Sequence, residues 1–284
     1  MKQRRFLKGI LAALGVLVVC IGIYLFGCWS TAGVYSVRGV PILNYHQVND
    51  VNLSPLTMRT WDFEAQMQYL ADNGYHTITM DQLNDFLEKG TALPDKPVLI
   101  TFDDGYEDNY TNALPILKKF GMKATVFMIA DSIGQPRFMN EEQLREMEAS
   151  GITIESHTYS HKDLRTLSDA DVKRELTLSK SILETALHHP IKYIAFPQGF
   201  SDKRIEAFTR EAGYQLAVTV EAGNAKRSED RYNIPRVAIF EGMNSYTSFT
   251  WRLHYIELID ATWELRDSLR DHGFTYLAEH VPLF

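Results

Sequence analysis

The sequence predicts an α/β protein with a mostly parallel sheet, preceded by one transmembrane helix. Two observations lead to this fold class. Short apolar runs alternate with amphipathic stretches through the body of the chain, which is typical of a parallel sheet, closed as a barrel or doubly wound. Residues 9–29 form an uncharged apolar run of about the 20 residues that a membrane span needs.

The N-terminal segment has the charge pattern of a membrane anchor. Residues 1–8 carry four basic side chains and no acidic one, so the positive-inside rule keeps them cytoplasmic and places the body outside. The run at 9–29 is longer than the apolar core of a cleaved signal peptide, and we expect an uncleaved anchor. The alternative is a lipoprotein signal, since "LFGC" resembles a lipobox ending at Cys28. Residues 30–38 are predicted to be a linker, and residues 39–284 one folded domain that makes up the body of the chain.

Composition excludes several kinds of site in the body. The net charge of the whole chain is −7, and the body is more acidic still because the N-terminal tail is basic. We therefore expect no nucleic-acid binding, which needs clustered Lys and Arg. Cys20 and Cys28 both lie in the apolar N-terminal segment, so the body has no disulfide, thiol nucleophile or thiolate metal site. A metal there needs His and carboxylate ligands.

Predicted strands and helices alternate along the body of the chain. Thr60 is a predicted helix cap, and Thr79 with Gln82 forms a predicted capping box. Strands are predicted at 40–45, 75–80, 96–102, 123–129, 152–155, 192–196, 215–220 and 235–240, and helices at 60–74, 79–90, 113–121, 140–151, 168–187, 202–213 and 245–263.

Polar side chains directly follow several of these strands. His46 follows "PILNY", Asp103 and Asp104 follow "VLITF", and His157 and His161 lie in and after "ITIESH". In α/β barrels the loops after the strands build one face, and that face carries the chemistry. We therefore expect these residues, which are distant in sequence, to lie close together.

The chemistry of these residue types indicates a catalytic metal site. Three residues separate His157 from His161, so one turn can bring both imidazoles to a single ion, with Asp104 as a carboxylate ligand. Two His and one carboxylate suit zinc or another divalent first-row metal. Asp103 is then placed to take a proton from water, and His46 is the best-placed candidate for the acid.

The motifs "TFDDGY" (101–106) and "SHTYSH" (156–161) resemble those of the polysaccharide deacetylase family, carbohydrate esterase family 4, with its NodB homology domain. The resemblance covers about residues 38–284. It implies a distorted (β/α) barrel that hydrolyses N-acetyl groups on amino-sugar polymers. It also implies that Asp103 is the general base and that Asp104, His157 and His161 bind Zn²⁺, with Co²⁺ or Ni²⁺ as alternatives.

A second sequence motif makes the resemblance more specific, because it points to one branch of the family. "PILNYHQV" (41–48) is similar to the poly-N-acetylglucosamine deacetylase branch, which implies that His46 is the general acid. In many relatives an arginine after a later strand orients the base, but Ala195 stands at the matching position here. Arg236 is the candidate replacement. By analogy the backbone amide of Gln198 stabilises the oxyanion, so Gln198 and Arg236 complete the predicted substrate-binding part of the site.

Together these observations predict a membrane-anchored, metal-dependent N-deacetylase of N-acetylglucosamine-containing envelope polysaccharide, foremost poly-β-1,6-N-acetylglucosamine. The same site would serve on peptidoglycan or chito-oligosaccharides, or as an O-acetyl esterase. A non-catalytic envelope sugar-binding protein is the more distant alternative, because a binder has little use for a general base. The expected partners are the polysaccharide, the cytoplasmic membrane and an exopolysaccharide synthase or export machinery.

Overall fold

The computed structural model describes residues 39–279, apart from residues 53, 228–229 and 243. The predicted cytoplasmic tail, membrane segment and linker therefore lie outside the described residues. In the part of the chain that is described, no helix combines the length and the apolar character needed to cross a membrane.

Seven parallel strands close into a barrel, which confirms the barrel alternative of the sequence prediction. The described residues form ten strands: β1 (Ile42–Tyr45), β2 (Gln47–Val48), β3 (Thr57–Met58), β4 (His76–Thr77), β5 (Pro97–Phe102), β6 (Ala124–Met128), β7 (Ile152–Ser156), β8 (Tyr193–Ala195), β9 (Leu216–Ala222) and β10 (Ile234–Ala238). The barrel runs from β1 through β5, β6, β7, β8, β9 and β10, and β10 pairs with β1 to close it.

The barrel is distorted where β4 joins it. β4 pairs with the first two residues of β5, and β1 pairs with the following four, so both strands share one edge of β5. β4 is shorter than the strand predicted at 75–80, because the chain turns at Thr79 into the next helix. β2 and β3 form a separate parallel pair outside the barrel, which the sequence pattern did not predict.

Eight α-helices are present among the described residues. The capping box of Thr79 and Gln82 is confirmed, since each side chain accepts a hydrogen bond from the other residue's backbone. Thr60 is not a cap: it is the first helical residue, and Arg59 precedes it without a side-chain cap. The helices are α1 (Thr60–Asp72), α2 (Met80–Lys89), α3 (Leu114–Lys119), α4 (Glu141–Ala149), α5 (Asp169–Leu187), α6 (Lys203–Glu211), α7 (Ser245–Asp271) and α8 (Thr275–Glu279).

Side-chain alternation along the strands separates two apolar clusters and positions the site. On β1, Leu43 packs in the larger cluster beneath the helices, whereas Ile42 packs with Leu99 of β5 in a second cluster. Side chains of a strand alternate between its two faces, so every second residue lies on the same face. The face of β1 that carries Ile42 therefore also carries Asn44, and the face of β5 that carries Leu99 also carries Thr101; Asn44 and Thr101 are both polar and buried. The second cluster therefore gives way to polar residues toward the carboxyl ends of the strands.

Candidate active site

The first group at the carboxyl ends of the strands is a buried ion pair. Asp103 follows β5 and is 2% exposed, and Arg236 of β10 is fully buried. The guanidinium donates two hydrogen bonds of 2.7 Å, one to each carboxylate oxygen, and Asn44 Nδ2 donates a third of 2.8 Å to Oδ2. Burial raises the pKa of Asp103, but the charge and hydrogen bonds of Arg236, together with electrostatic interactions with His157 and His46, outweigh burial and hold this pKa well below its usual range. Asp103 is therefore a fixed, ionised carboxylate.

Arg236 lies behind Asp103 and has no exposed side-chain surface. Its Nε donates to the carbonyl oxygen of Thr219 at 2.7 Å, and its Nη1 also lies 3.3 Å from the hydroxyl of Thr101. This arrangement suits a residue that positions Asp103, and it offers no group for direct contact with substrate. Ala195 ends β8, where the resemblance would place the missing arginine.

The second group is a triad formed by Asp104, His157 and His161, whose ligand atoms all lie within 4.8 Å of one another. Nε2 of His157 and Nε2 of His161 are 3.5 and 3.4 Å from Asp104 Oδ1. Two ligand atoms at about 2.1 Å from one ion in a tetrahedral arrangement are about 3.4 Å apart. Asp104 Oδ1 is buried without a hydrogen-bond partner among the described residues. The triad therefore fits a divalent metal ion.

The protonation states of the triad also fit a metal. Burial lowers the pKa of His157 to about 3 and also lowers that of His161, so both rings are neutral at pH 7. Nδ1 of His157 lies 2.8 Å from the carbonyl oxygen of Ala195, which can only accept, so Nε2 keeps its lone pair for an ion. Burial raises the pKa of Asp104 to about 6, and a bound cation would favour its ionised form.

The backbone of both motifs adopts left-handed conformations. Asp104 has a φ of 72° and His161 one of 56°, which are uncommon for residues with a side chain and concentrate at functional sites. Gly105 has a φ of 82°, and a Cβ atom there would lie 2.0 Å from Sδ of Met128. Glycine is therefore required next to Asp104.

His46 follows β1 and lines a cavity of about 320 Å³ together with Asp104 and Tyr106. Nδ1 of His46 is buried and makes no hydrogen bond among the described residues. Because one cavity is lined by both Asp104 of the triad and this histidine, a small ligand inside it can contact both residues. The other lining residues are Gln47, Asn52, Ser54, Leu56, Thr57 and Arg137.

The predicted residue Gln198 lies in the turn Pro197–Gly199 directly after β8, with an exposed side chain and a φ of 57°. The structure also contains residues that the sequence analysis missed. Asn44 donates a hydrogen bond directly to Asp103. The sequence feature that could have identified it is a polar residue within an otherwise apolar, buried strand. Tyr106 and Arg137 line the cavity, and no motif pointed to Arg137.

Comparisons with known proteins agree with this geometry. The family model described as "Polysaccharide deacetylase" matches residues 90–217. YxkH of Bacillus subtilis, a protein assigned to the polysaccharide deacetylases, is 41% identical over 205 residues, which cover 72% of this chain and 73% of that protein. The chain belongs to the polysaccharide deacetylase family, whose members hydrolyse carbon–nitrogen amide bonds.

Two further proteins extend the likeness to most of the barrel. The poly-β-1,6-N-acetyl-D-glucosamine N-deacetylase of Staphylococcus aureus is 26% identical over 245 residues, covering 76% of this chain and 84% of that enzyme. The solved structure of the Streptococcus pyogenes deacetylase PplD in complex with acetate superposes with a TM-score of 0.72 at 27% identity, covering 76% of this chain and 98% of that one. The barrel is thus of the NodB type.

Proposed function

We propose that this chain is a metal-dependent enzyme that removes N-acetyl groups from N-acetylglucosamine-containing polysaccharide of the cell envelope. Poly-β-1,6-N-acetylglucosamine is the first proposed substrate. One observation carries the proposal: an ionised, oriented carboxylate, Asp103, directly precedes Asp104, which belongs to the Asp104–His157–His161 triad and lines one cavity together with His46. Such a set provides a base, an acid and a metal site for amide hydrolysis.

The proposed reaction adds water across the amide bond, so that the C–N bond breaks and acetate and an amine leave. A divalent cation held by the triad supplies polarisation of the carbonyl group and water of lowered pKa. Asp103 accepts the proton of the attacking water, and Arg236 keeps that carboxylate ionised and oriented. His46 donates a proton to the departing nitrogen. The backbone N–H of Gln198 donates a hydrogen bond to the developing oxyanion in this proposal.

Two relatives support this choice of reaction and substrate. The Staphylococcus aureus relative is a poly-β-1,6-N-acetyl-D-glucosamine N-deacetylase, and it aligns with most of the barrel. The Streptococcus pyogenes deacetylase was solved with acetate, which is the acid product of the proposed reaction. The donor set of two His and one carboxylate supports zinc as the first metal to test, with Co²⁺ and Ni²⁺ as alternatives.

The test is a substrate panel followed by mass spectrometry. Residues 39–284 loaded with Zn²⁺, and the same protein stripped by a chelator, are mixed with β-1,6- and β-1,4-linked N-acetylglucosamine oligomers, peptidoglycan fragments and an O-acetylated sugar. We expect metal-dependent loss of acetyl groups from the β-1,6-linked oligomers. Loss from another member of the panel alone would replace the proposed substrate. No loss from any of them, with metal bound and the fold intact, would reject the enzyme proposal.

We also propose that residues 9–29 anchor the enzyme in the cytoplasmic membrane with the barrel outside, close to an exopolysaccharide synthase or exporter. The basic residues at 1–8 and the length of the apolar run support this orientation. The full chain should sediment with membranes and be accessible to protease from outside the cell. A Cys28→Ala variant should stay in the membrane fraction, whereas its release would favour the lipoprotein alternative.

A further inference from the structure

One cationic side chain on the cavity wall has no role in the reaction described above. Arg137 is exposed, and it is the only Lys or Arg among the described residues that line the cavity. Its guanidinium carbon lies 5.7 Å from the centre of the Tyr106 ring. None of the described carboxylates lies within ion-pair distance of it. Its side chain lines the cavity that substrate would occupy.

The backbone holds Arg137 in a strained conformation. Its φ is 77°, a region that glycine adopts at lower cost. The carbonyl oxygen of Arg137 accepts a 2.8 Å hydrogen bond from the backbone N–H of Glu107, and Tyr106 forms an antiparallel bridge with Phe138. The rings of Tyr106 and Phe138 also stack with centres 5.0 Å apart. The fold therefore fixes this cation beside an aromatic face on the cavity wall.

The acidic residues near Arg137 have hydrogen-bond partners of their own, and Asp108 also interacts with the charge of Arg137. Glu107 accepts a hydrogen bond from Gln143 at 3.0 Å, and Asp108 accepts one from Asn49 at 2.6 Å. Asp104 belongs to the metal triad, where a divalent cation would outweigh its charge. With a divalent metal bound, the ion and Arg137 would together give the cavity a net positive charge. Arg137 contributes to this charge without taking part in metal binding.

We propose that Arg137 is a specificity-determining residue that makes the cavity favour acetylated over deacetylated sugar units. This inference rests on the proposed function. An N-acetylglucosamine unit is neutral, whereas the amine left by hydrolysis takes up a proton and becomes a cation that Arg137 repels. Product units therefore leave the cavity readily, and a unit beside an existing free amine binds weakly. The enzyme accordingly spaces its free amines along the polymer.

A binding experiment isolates this charge effect from turnover. The full-length, zinc-loaded chain is titrated by calorimetry with two oligomers that it cannot deacetylate: a β-1,6-linked glucosamine oligomer, and the β-1,6-linked glucose oligomer that carries a hydroxyl in place of each amine. The same pair with β-1,4 linkage is measured in parallel. The quantity of interest is the ratio of the Kd of the amine oligomer to the Kd of the neutral one.

We expect this ratio to fall about three- to tenfold in Arg137→Gln, as fits one unit charge acting across a few ångströms of partly aqueous space. Arg137→Lys keeps the charge and should keep the ratio. Arg227→Gln is the matched control, because Arg227 is an exposed arginine beside Gly90 at the opposite end of the barrel. Salt at about 0.5 M should lower the ratio of the unmodified chain toward that of Arg137→Gln.

An unchanged ratio in Arg137→Gln overturns the inference, as does an equal fall in Arg137→Lys, which would indicate shape rather than charge. Failure of both oligomer pairs to bind the unmodified chain also overturns it, because the cavity would then not be a sugar site. Neither result depends on hydrolysis. Failure of the proposed function would instead appear as absent acetyl loss in the substrate panel.

Discussion

Asp103 and Glu155 are two carboxylates buried near the carboxyl ends of β5 and β7, but their surroundings differ. Asp103 is bonded on both oxygens by Arg236 and has a pKa well below its usual range, although burial opposes this shift. Glu155 is 6% exposed, and among the described residues it accepts hydrogen bonds from the backbone N–H groups of Lys192 and Tyr193, at 3.0 and 2.9 Å. Burial raises the pKa of Glu155 to about 8.

The comparison teaches that burial favours the neutral form of Glu155, whereas the two-bond ion pair with Arg236 favours the charged form of Asp103. The proposed role of Asp103 as general base needs a carboxylate that is ionised at neutral pH, and Arg236 behind Asp103 favours that state. Glu155 instead fastens the first residues of β8 to β7 through two backbone hydrogen bonds, a structural role that a neutral group also performs. Substitutions at Asp103, Arg236 and Glu155 can break or sharpen this contrast.

The largest expected effect is the loss of turnover in Asp103→Asn. An amide cannot accept the proton of the attacking water, so kcat should fall by about 10²- to 10⁴-fold, the usual contribution of a general base. Zinc content should stay near that of the unmodified enzyme, because the amide replaces a group outside the triad. Acetyl release and metal analysis of the purified variant provide the measurement.

Glu155→Gln is the matched control for this experiment, since it makes the same acid-to-amide change at the other buried carboxylate. Its turnover at pH 7 should stay close to that of the unmodified enzyme. If both variants lost turnover equally, general loss of the fold would explain the result. If Asp103→Asn kept full turnover, Asp103 would not be the base.

Much of this site was predictable because it follows local rules. Asp103, Asp104 and His157 were placed at one end of the barrel because each follows an apolar strand, and parallel strands end at the same face. The Thr79–Gln82 capping box was predictable because it needs only four consecutive residues. The catalytic roles of these site residues stay predictions.

The rest depended on contacts between distant parts of the chain. Arg236 was a candidate from the sequence, but its two bonds to Asp103 exist only because β10 closes the barrel on β1, next to β5. Arg137 lies in a loop whose sequence gives no sign of the cavity, and backbone pairing of residues 105–107 with residues 137–139 brings it there. β4 is short because the capping box at Thr79 starts a helix before the strand can continue.

The second expected effect is a loss of stability in Arg236→Met. Removing the guanidinium leaves the ionised Asp103 buried without a cation, so the free energy of unfolding should fall by about 3–5 kcal/mol, the usual result of breaking a buried pair. Urea unfolding of residues 39–284 provides the measurement.

The double variant Arg236→Met/Asp103→Leu tests the cause of that loss. It removes both charges, so it should recover a large part of the stability while remaining inactive. If it were less stable than Arg236→Met alone, the hydrogen bonds of Arg236 to Thr219 and Thr101, rather than its charge, would explain the loss.

The smallest expected effect is a pH-dependent gain of stability in Glu155→Gln. The pKa of Glu155 in the folded state, about 8, lies above its usual value of 4.5. The folded chain therefore binds this proton more tightly, and the resulting stability is complete below pH 4.5 and is lost as the pH rises to about 8. The amide side chain of the variant stays neutral at every pH in this range.

The melting temperature of the variant relative to the unmodified protein should accordingly rise between pH 5 and pH 8. Above pH 8 the difference should stay constant, since Glu155 is then ionised in both the folded and the unfolded state. A difference that is equal at pH 5 and pH 8 would mean that Glu155 is already ionised at pH 5 in the folded barrel. The two backbone N–H groups would then suffice to hold a buried charge, and Arg236 would not be needed to keep Asp103 ionised, only to orient it.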